Sequence, residues 1–589
     1  MDVDNPQGKD SYEYKFIMDT KEIFIKAQEL STKTNGILSR EESVKICNAY
    51  VESLIDVVNG LDSLEDEAME ELEMYKIYGK LILFIQAVMI GNEDIGTLGY
   101  DLLRWSKNGL EELDEYTEKL FRDAKEKNIF IEEQECYWNL VVFNIITGDF
   151  NTAKRLIFEN SRSATSEAFS IIFSKLGQIN SSWFRTETSL TKFLEWQDDL
   201  KTLKKNGVFK TEKYLEWIVS ILIGDYDALK ELAKENIEYW YQILPAVIFF
   251  AHPHMVIPSL PPILETVLEW FPKENMNLID EVMILVLKND WIQIAEILFN
   301  GMNDHWLVAH VYDLLYKNSP ALIIVDGINL RDLAVKNYAD SLFDRKLYVS
   351  AVDYFMHANL PDVETTVRDR VMEIESTDED TCSIILEICK DLGLNDCVLK
   401  IGKTMSKKFI ENKDWMKAFT WGILCRNQTL IATMCNCILE NAERDEIMKF
   451  SEIDDIMRRH SSVPHVLILK KYCSYINDIY NDKIGEGAIN LAEIVLSNHA
   501  STKFTFVLIK DLIMVLATAS NEDMSIFDAE TCHQLSRFLA FFELDVARLL
   551  SLKDVNSPSM FGFECKEELD NEIRLFKELL LNEMTRAFV

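Results

Sequence analysis

Between Pro6 and Pro245 the chain holds no proline, and six of its eleven prolines then crowd between Pro245 and Pro272. Proline breaks helix and sheet interiors alike, so its absence over so long a stretch leaves room for continuous secondary structure. Glycine is scarce as well, 20 residues in 589. Leu, Glu, Lys and Ala abound instead, a balance that favours packed helices over strands and tight turns. The proline cluster marks a discontinuity in that helical path. No Pro/Gly/Ser-rich or low-complexity linker divides the chain, which leaves either several domains with short joints or one elongated solenoid.

The eleven cysteines lack framework spacing and include no Cys-x-x-Cys pair, which argues against a disulfide scaffold and a zinc knuckle. Cys382, Cys389, Cys397, Cys425, Cys435 and Cys437 cluster in sequence and read as small core thiols of an intracellular protein. Basic residues are outnumbered, 61 against 98 acidic ones, for a formal charge of −37. Such a field repels phosphate backbones and argues against direct nucleic-acid binding. Part of the acidity sits in a run of Asp62, Glu65, Asp66, Glu67, Glu70, Glu71 and Glu73, read as a solvated helix face, with a basic partner as the alternative. Met1 to Pro6 is acidic and polar and lacks a signal-peptide core. The most apolar segments, Leu81 to Ile90 and Ile243 to Ala251, fall short of the ~20 residues a spanning helix needs, so a soluble protein without a transmembrane segment is expected.

A recurring turn gives the chain its organisation. It reads Thr147-Gly148-Asp149-Phe150 with Ala153, Gly224-Asp225-Tyr226 with Ala228, Asn289-Asp290-Trp291 with Ala295, and Lys413-Asp414-Trp415 with Ala418. Gly or Asn tolerates the left-handed conformation that ends a helix, and Asp accepts hydrogen bonds from the first amides of the next. The aromatic supplies buried area and Ala permits close helix approach, so each motif is a corner of a helical hairpin. The four Asp positions are 76, 65 and 124 residues apart, which fits no fixed period of about 34 or 40.

Ser39 with Glu42 and Ser376 with Glu379 have capping-box spacing. Helical periodicity runs over Tyr137 to Ile146, Thr152 to Phe158, Tyr214 to Ile223, Leu229 to Ala233, Leu278 to Leu287 and Ile292 to Phe299. Leu569, Ile573, Phe576, Leu580 and Met584 stripe the last helix. Near the start, Tyr12, Tyr14 and Phe16 alternate with Glu13 and Lys15, which suits either one short strand or a helix lead-in.

Ile401-Gly402-Lys403-Thr404 resembles the end of a phosphate-binding loop, but the required earlier Gly is Cys397, and Asn395-Asp396 start a helix instead. Gly485-Glu486-Gly487 fails as a dinucleotide fingerprint because Asn490 stands at its third Gly. His252 and His254 straddle Pro253, and His305 and His310 are five apart where four would align them on a helix. Trp138, Trp196, Trp240, Trp291, Trp306, Trp415 and Trp421 read as core and corner packing. Asn180-Ser181-Ser182 and Asn427-Gln428-Thr429 match the glycosylation pattern only as chance would. No Gly-x-Ser-x-Gly elbow or His-Glu-x-x-His helix occurs. No catalytic, cofactor-binding or metal-binding residue is assigned, and no cofactor is expected.

Several stretches, in order, resemble the nucleoporin 85 family of the Y-shaped outer-ring complex of the nuclear pore. They are Tyr137-Trp138-Asn139-Leu140 with Ala153-Lys154-Arg155-Leu156, Leu194-Glu195-Trp196-Gln197, Ile223-Gly224-Asp225 and Tyr239-Trp240-Tyr241. Trp306-Leu307-Val308-Ala309-His310, Asp313-Leu314-Leu315, Tyr338 to Phe343, Val352 to Phe355 and Ala418-Phe419-Thr420-Trp421 follow. The likeness runs over roughly residues 20 to 560. It implies an all-α, irregular solenoid that folds back on itself, similar to the ancestral coatomer element with trunk, crown and tail. Residues 1–19 would be an extension, 20–460 trunk and crown, and 461–589 the tail, docking toward helical hub subunits of the Y.

The resemblance further implies a non-enzymatic scaffold of the outer ring, peripheral to the pore membrane. Its implied roles are pore assembly, protein transport and messenger-RNA export, with visits of the complex to kinetochores. Relatives insert strands as an extra blade into a seven-bladed propeller similar to the Sec13 protein. Tyr12 to Ile17 could supply one strand only, and one strand makes no blade, so propeller docking by that route is not expected of this stretch unless the sequence is incomplete at its start, and binding through helix surfaces is the route left open. Two readings from other classes are a vesicle-coat or tethering subunit and a helical enzyme with a pocket near His252 and His254.

Overall fold

The structure, a computed structural model, describes residues 12–62, 69–90, 97–107, 113–179, 183, 187–272, 276–302, 305–375, 378–522, 524–551 and 566–587. Two compact units, Met1–Val363 and Glu364–Val589, divide the chain. The described residues are almost wholly helical, as an all-α solenoid requires.

The first unit opens with α1 (Tyr12–Lys33), α2 (Arg40–Leu61), α3 (Met69–Met89), α4 (Thr97–Lys107), α5 (Leu113–Lys127) and α6 (Tyr137–Ile146). It continues with α7 (Phe150–Glu159), α8 (Glu167–Leu176), α9 (Glu187–Lys205), α10 (Lys213–Leu222), α11 (Tyr226–Asn236) and α12 (Trp240–Ala246). Then come α13 (Pro261–Leu268), α14 (Leu278–Lys288), α15 (Trp291–Met302), α16 (His305–Asn318), α17 (Leu330–Asp344) and α18 (Tyr348–His357). Neighbours in sequence pack as up-and-down hairpins. The return leg then meets the outward leg in reverse order: α12 packs on α4, α14 on α3, α16 on α2 and α3, and α18 on α1. This is the fold-back.

Tyr12–Ile17 is the first part of α1 and not a strand. The alternation Tyr12, Tyr14, Phe16 is incidental to a helical spacing in which Phe16, Thr20, Phe24 and Ala27 all reach the core. The strands that do form among the described residues are Ile324–Val325 and Ile328–Asn329, paired antiparallel across Asp326-Gly327. Both turn residues have positive φ, 52° and 81°, as a two-residue hairpin of this kind demands.

All four corners are helix junctions. Gly148, Gly224, Asn289 and Lys413 take φ of 76°, 75°, 60° and 60°, so a lysine fills one left-handed position without the help of Gly or Asn. Asp149 accepts from Thr152 N at 3.0 Å, Asp225 from Asp227 N at 3.1 Å, Asp290 from Gln293 N at 3.2 Å and Asp414 from Lys417 N at 3.2 Å. Ala153 and Ala418 are fully buried where the second helix crosses the first. Ser39 and Glu42 form the expected reciprocal capping box. Ser376 lies outside the described residues, and Asp378 caps the helix that starts at Glu379.

The proline cluster is a joint. Pro245 sits inside α12 and cannot donate, and the chain widens at once into a π-turn over Val247–Ala251. Gln197 of α9 ties the end of the π-turn to the end of α10, donating to Phe250 O at 2.8 Å and Leu222 O at 2.9 Å. Gly224 is forced here twice over. It is left-handed, and a Cβ on it would lie 2.4 Å from Phe250 O.

The second unit comprises α19 (Val363–Glu373), α20 (Glu379–Asp391), α21 (Asn395–Glu411), α22 (Trp415–Leu424), α23 (Gln428–Asn441) and α24 (Arg444–Met448). After them run α25 (Asp454–Arg459), α26 (Pro464–Tyr480), α27 (Ile484–Leu496), α28 (Thr502–Asn521), α29 (Ala529–Ser551) and α30 (Lys566–Ala587). A boundary near residue 460 falls inside this unit, where α26 packs on both α23 and α24. By length and composition α28 is long and apolar enough to cross a bilayer, which the shorter runs singled out from sequence are not. It is the central helix of the unit, against α23, α27 and α30. Its buried Asp511 accepts from Tyr472 Oη at 2.8 Å and pairs with Arg444. Ile573, Phe576 and Leu580 of α30 are buried, Met584 is half-buried, and the side chain of Leu569 lies outside the described residues. Glu583 holds α30 in place by accepting from Phe527 N at 3.1 Å and Ser525 Oγ at 3.2 Å.

Gly224→Ala and Gly327→Ala both force a left-handed alanine, but only the first meets backbone, since nothing lies within 4 Å of a Cβ at Gly327. G327A should cost about 1 kcal/mol and G224A at least about twice that, read as urea midpoints of the first transition. Equal costs would show that the contact with Phe250 yields freely.

Candidate functional site: the clamp that closes the fold-back

The two legs of the first unit are locked by polar groups that water does not reach. Asp313 of α16 is 2 % exposed. It accepts from Gln28 Nε2 of α1 at 2.7 Å and from Arg331 Nε of α17 at 2.9 Å. Lys317, one turn further along α16, donates to Gln28 Oε1 at 2.6 Å and Ser31 Oγ at 3.1 Å. Arg331 also donates to Ala358 O at 2.7 Å and Asp332 Oδ1 at 2.9 Å. Every one of these donors meets an acceptor, as a buried charge requires. Burial pushes the Lys317 ammonium below its ordinary value. Burial opposes the Arg331 cation too, but the Asp313 charge and the bonds to Asp332 and Asp313 hold its pKa above the ordinary value.

Two turns before Asp313 on α16, aromatic packing replaces charge. The Trp306 ring lies 4.7 Å from Phe16 of α1, 6.0 Å from Tyr50 of α2 and 6.0 Å from Tyr78 of α3. Its Nε1 donates to Thr20 Oγ1 at 3.1 Å. Phe24 packs on Tyr354 of α18 at 4.6 Å, and Tyr354 on Tyr338 of α17 at 4.9 Å. His310 sits between these rings with Nδ1 donating to Trp306 O at 2.7 Å and Nε2 accepting from Tyr354 Oη at 3.0 Å. Burial lowers its pKa to about 4, so the imidazole is neutral.

This accounts for the residues that sequence offered as chemistry. His310 is a core hydrogen-bonding residue, whereas His305 packs on Phe299 at 5.2 Å, so the two are not brought together. His252 contacts Tyr226 Oη, and His254 is exposed on the loop beyond. Among the described residues, no group of three or more His, Cys, Asp or Glu is placed to hold a metal. Gly402-Lys403-Thr404 lies within α21, its amides committed to the helix. Gly402 is there for packing, because a Cβ would meet Cys425 Sγ at 1.8 Å. Gly485 and Gly487 lie in α27, and Asn490 donates to Asp478 at 3.1 Å. Burial raises the Cys389 and Cys435 thiols to about 12, where they are inert. Asn180-Ser181-Ser182 is outside the described residues, as are Glu65 to Glu67, while Glu70, Glu71 and Glu73 are exposed on α3.

The tryptophans pack as expected. Trp196 donates to Lys175 O at 3.0 Å, Trp240 to Asp280 at 2.8 Å, Trp291 to Asn289 at 2.7 Å and Trp415 to Glu446 at 2.7 Å. Trp138 stacks on Tyr214 at 4.8 Å and Trp421 is buried. No spacing rule linked Gln28 to Asp313 or Thr20 to Trp306. The only signal was the pair of charges Asp313 and Lys317 inside an otherwise apolar helix, which invites the question of what satisfies them.

The Nup85 nucleoporin family profile matches residues 3–540. The chain is 21 % identical to the nuclear pore complex protein Nup85 of Xenopus tropicalis, covering 98 % of this chain and 88 % of that protein. It is 22 % identical to the Homo sapiens Nup85, over 78 % of this chain and 69 % of the relative. With the nuclear pore complex protein Nup75 of Drosophila melanogaster the figures are 19 %, 96 % and 86 %.

Asp313→Asn removes the carboxylate that Arg331 and Lys317 share, leaving Lys317 without its counter-charge and Arg331 with Asp332 alone. It should destabilise the first unit by about 3 kcal/mol, measured by urea unfolding; a loss under about 1 kcal/mol would mean the pair is not needed. For His310, the unfolded chain binds a proton near 6.5 that the folded chain refuses until about 4. Stability therefore falls as pH drops through that window, by at most about 3 kcal/mol, and is flat above it. His310→Gln should lose less melting temperature than the parent between about pH 7 and pH 4.5, and identical slopes would assign the acid sensitivity elsewhere.

Proposed function

The chain belongs to the Nup85 nucleoporin family and is a structural subunit of the nuclear pore complex, and we propose that it builds an arm of the Y-shaped outer ring. The observation that carries this is the family match along nearly the whole chain, on a fold whose return leg is bolted to its outward leg. Such a body offers long helical surfaces of fixed geometry. Several moderate interfaces engaged together give a stable lattice without any one being strong. In this reading the scaffold works without catalysis and supports pore assembly, protein transport and messenger-RNA export. It stays peripheral to the pore membrane, and visits kinetochores with its complex.

The partners are other nuclear pore subunits. We place the tail, from about residue 461, toward the hub of the Y, where the outer side of α29 and α30 presents Phe541, Leu544 and Leu581, each more than 60 % exposed. In this reading a Sec13-like propeller docks on helix surfaces; Tyr12 to Ile17 is not free to serve it as a strand, since the start of α1 is engaged in the clamp. Phe16 packs on Trp306, and Glu13 pairs with Arg345.

A tagged copy should mark a nuclear rim, and punctate or Golgi signal without a rim would refute the assignment. For the propeller, deletion of residues 1–11 keeps α1 whole, whereas deletion through Leu30 would remove Phe16, Phe24 and Gln28 and unfold the clamp. Affinity purification should recover the propeller partner with both the full chain and the 1–11 deletion. Its loss from the deletion alone would move the docking site to that segment.

A further inference from the structure

Against a formal charge of −37, the stretch from Val398 to Leu439 carries seven Lys or Arg and two Asp or Glu. Two helices of this basic island, α21 and α23, wall a groove of about 600 Å³. Leu399, Lys403, Lys407 and Ile410 line one wall, at spacings that put them on a single helix face. Thr429, Leu430, Thr433 and Met434 line the other, with Asn427 at its end. No carboxylate stands among these lining residues. Lys403 and Lys407 are exposed, the latter reaching only Glu411 at a loose 3.8 Å. Thr433 bonds back to Thr429 O at 2.9 Å, and Asn427 accepts from Leu430 N at 2.9 Å, so those polar groups are spent on their own helix. The groove thus offers apolar contact and a cationic edge.

We propose that this groove docks an acidic amphipathic helix of a partner protein, its apolar side chains on the half-buried Leu399 and Ile410, over the exposed edges of the buried Leu430 and Met434, and its carboxylates on Lys403 and Lys407. The charge of the occupant follows from the reversal of sign, since an acidic surface would repel the same helix everywhere else on this chain. Its form follows from the lining. Two helical walls, each carrying aliphatic side chains, suit the i, i+3, i+4, i+7 knobs of a helix. A nucleic acid would want stacking rings, and none lines the groove. Lys403 belongs to the motif that mimics a phosphate loop, and this gives it a role unconnected with nucleotides.

The test uses the full-length chain and a fluorescein-labelled peptide of about 18 residues with Leu at those spacings and Glu on both flanks, read by anisotropy. Saturable binding is expected, weakened by about tenfold or more in K403E/K407E and weakened again on raising salt from about 0.05 to 0.3 M. Thr433 is exposed, so T433W fills the groove without changing charge, and it should abolish binding. Circular dichroism melts confirm that both variants are folded. Unchanged affinity in both, or equal binding of a scrambled peptide of the same composition, overturns the proposal. Lysine-dependent binding to phosphatidylserine vesicles or duplex DNA that exceeds the peptide's overturns it in favour of those ligands. Purified components suffice, so it can fail while rim localisation succeeds.

Discussion

One buried carboxylate holds the two ends of the first unit together. Asp313 joins α1 to α16 and α17 across 285 residues of sequence, through Gln28 and Arg331. Closing a loop of that length costs about 5 kcal/mol of chain entropy, since the cost grows only with the logarithm of length. Burying Phe16 and Phe24 against Trp306 and Tyr354 returns about 2 to 3 kcal/mol each, so packing alone can meet the closure cost. The ion network adds little net stability by comparison, because desolvating charges consumes most of what they gain. What it adds is register. Apolar faces can slide by a turn, but Asp313 is satisfied in only one alignment of the three helices.

That division explains what could be read in the sequence. The corners were legible because each is a local device: a left-handed residue, an acceptor for the next amides, an aromatic and a small residue within a few positions. The proline joint was legible for the same reason. Other corners use the same backbone with different residues, as at Lys346 before Leu347 and Asp482 before Lys483, and these carry no Asp at the cap to mark them. The clamp was not legible, because nothing near Gln28 announces a partner near residue 313.

The ambiguous stretches are instructive in the same way. Tyr12 to Ile17 satisfies a period of two and a helical period at once, and only α16 and α18 decide between them. Lys510 and Asp511 interrupt the apolar run of α28, and Asp511 is the residue that ties it to Tyr472 and Arg444. Gly402, rightly set aside as a phosphate loop, turned out to be space for Cys425, which its sequence context does not show. In each case the deciding atom lies far off in sequence or on a neighbouring helix, where periodicity carries no information.

The joint at Pro245 has a mechanical meaning for a body that must keep its shape. A helix interrupted by proline normally bends at that point, because a donor is lost and the ring crowds the preceding turn. Here Gln197 takes up Phe250 O and Leu222 O together, and Gly224 brings the neighbouring corner hard against the π-turn. The chain changes direction at a mitred corner, glued on its inner face, and such a corner carries load through the angle and does not act as a hinge.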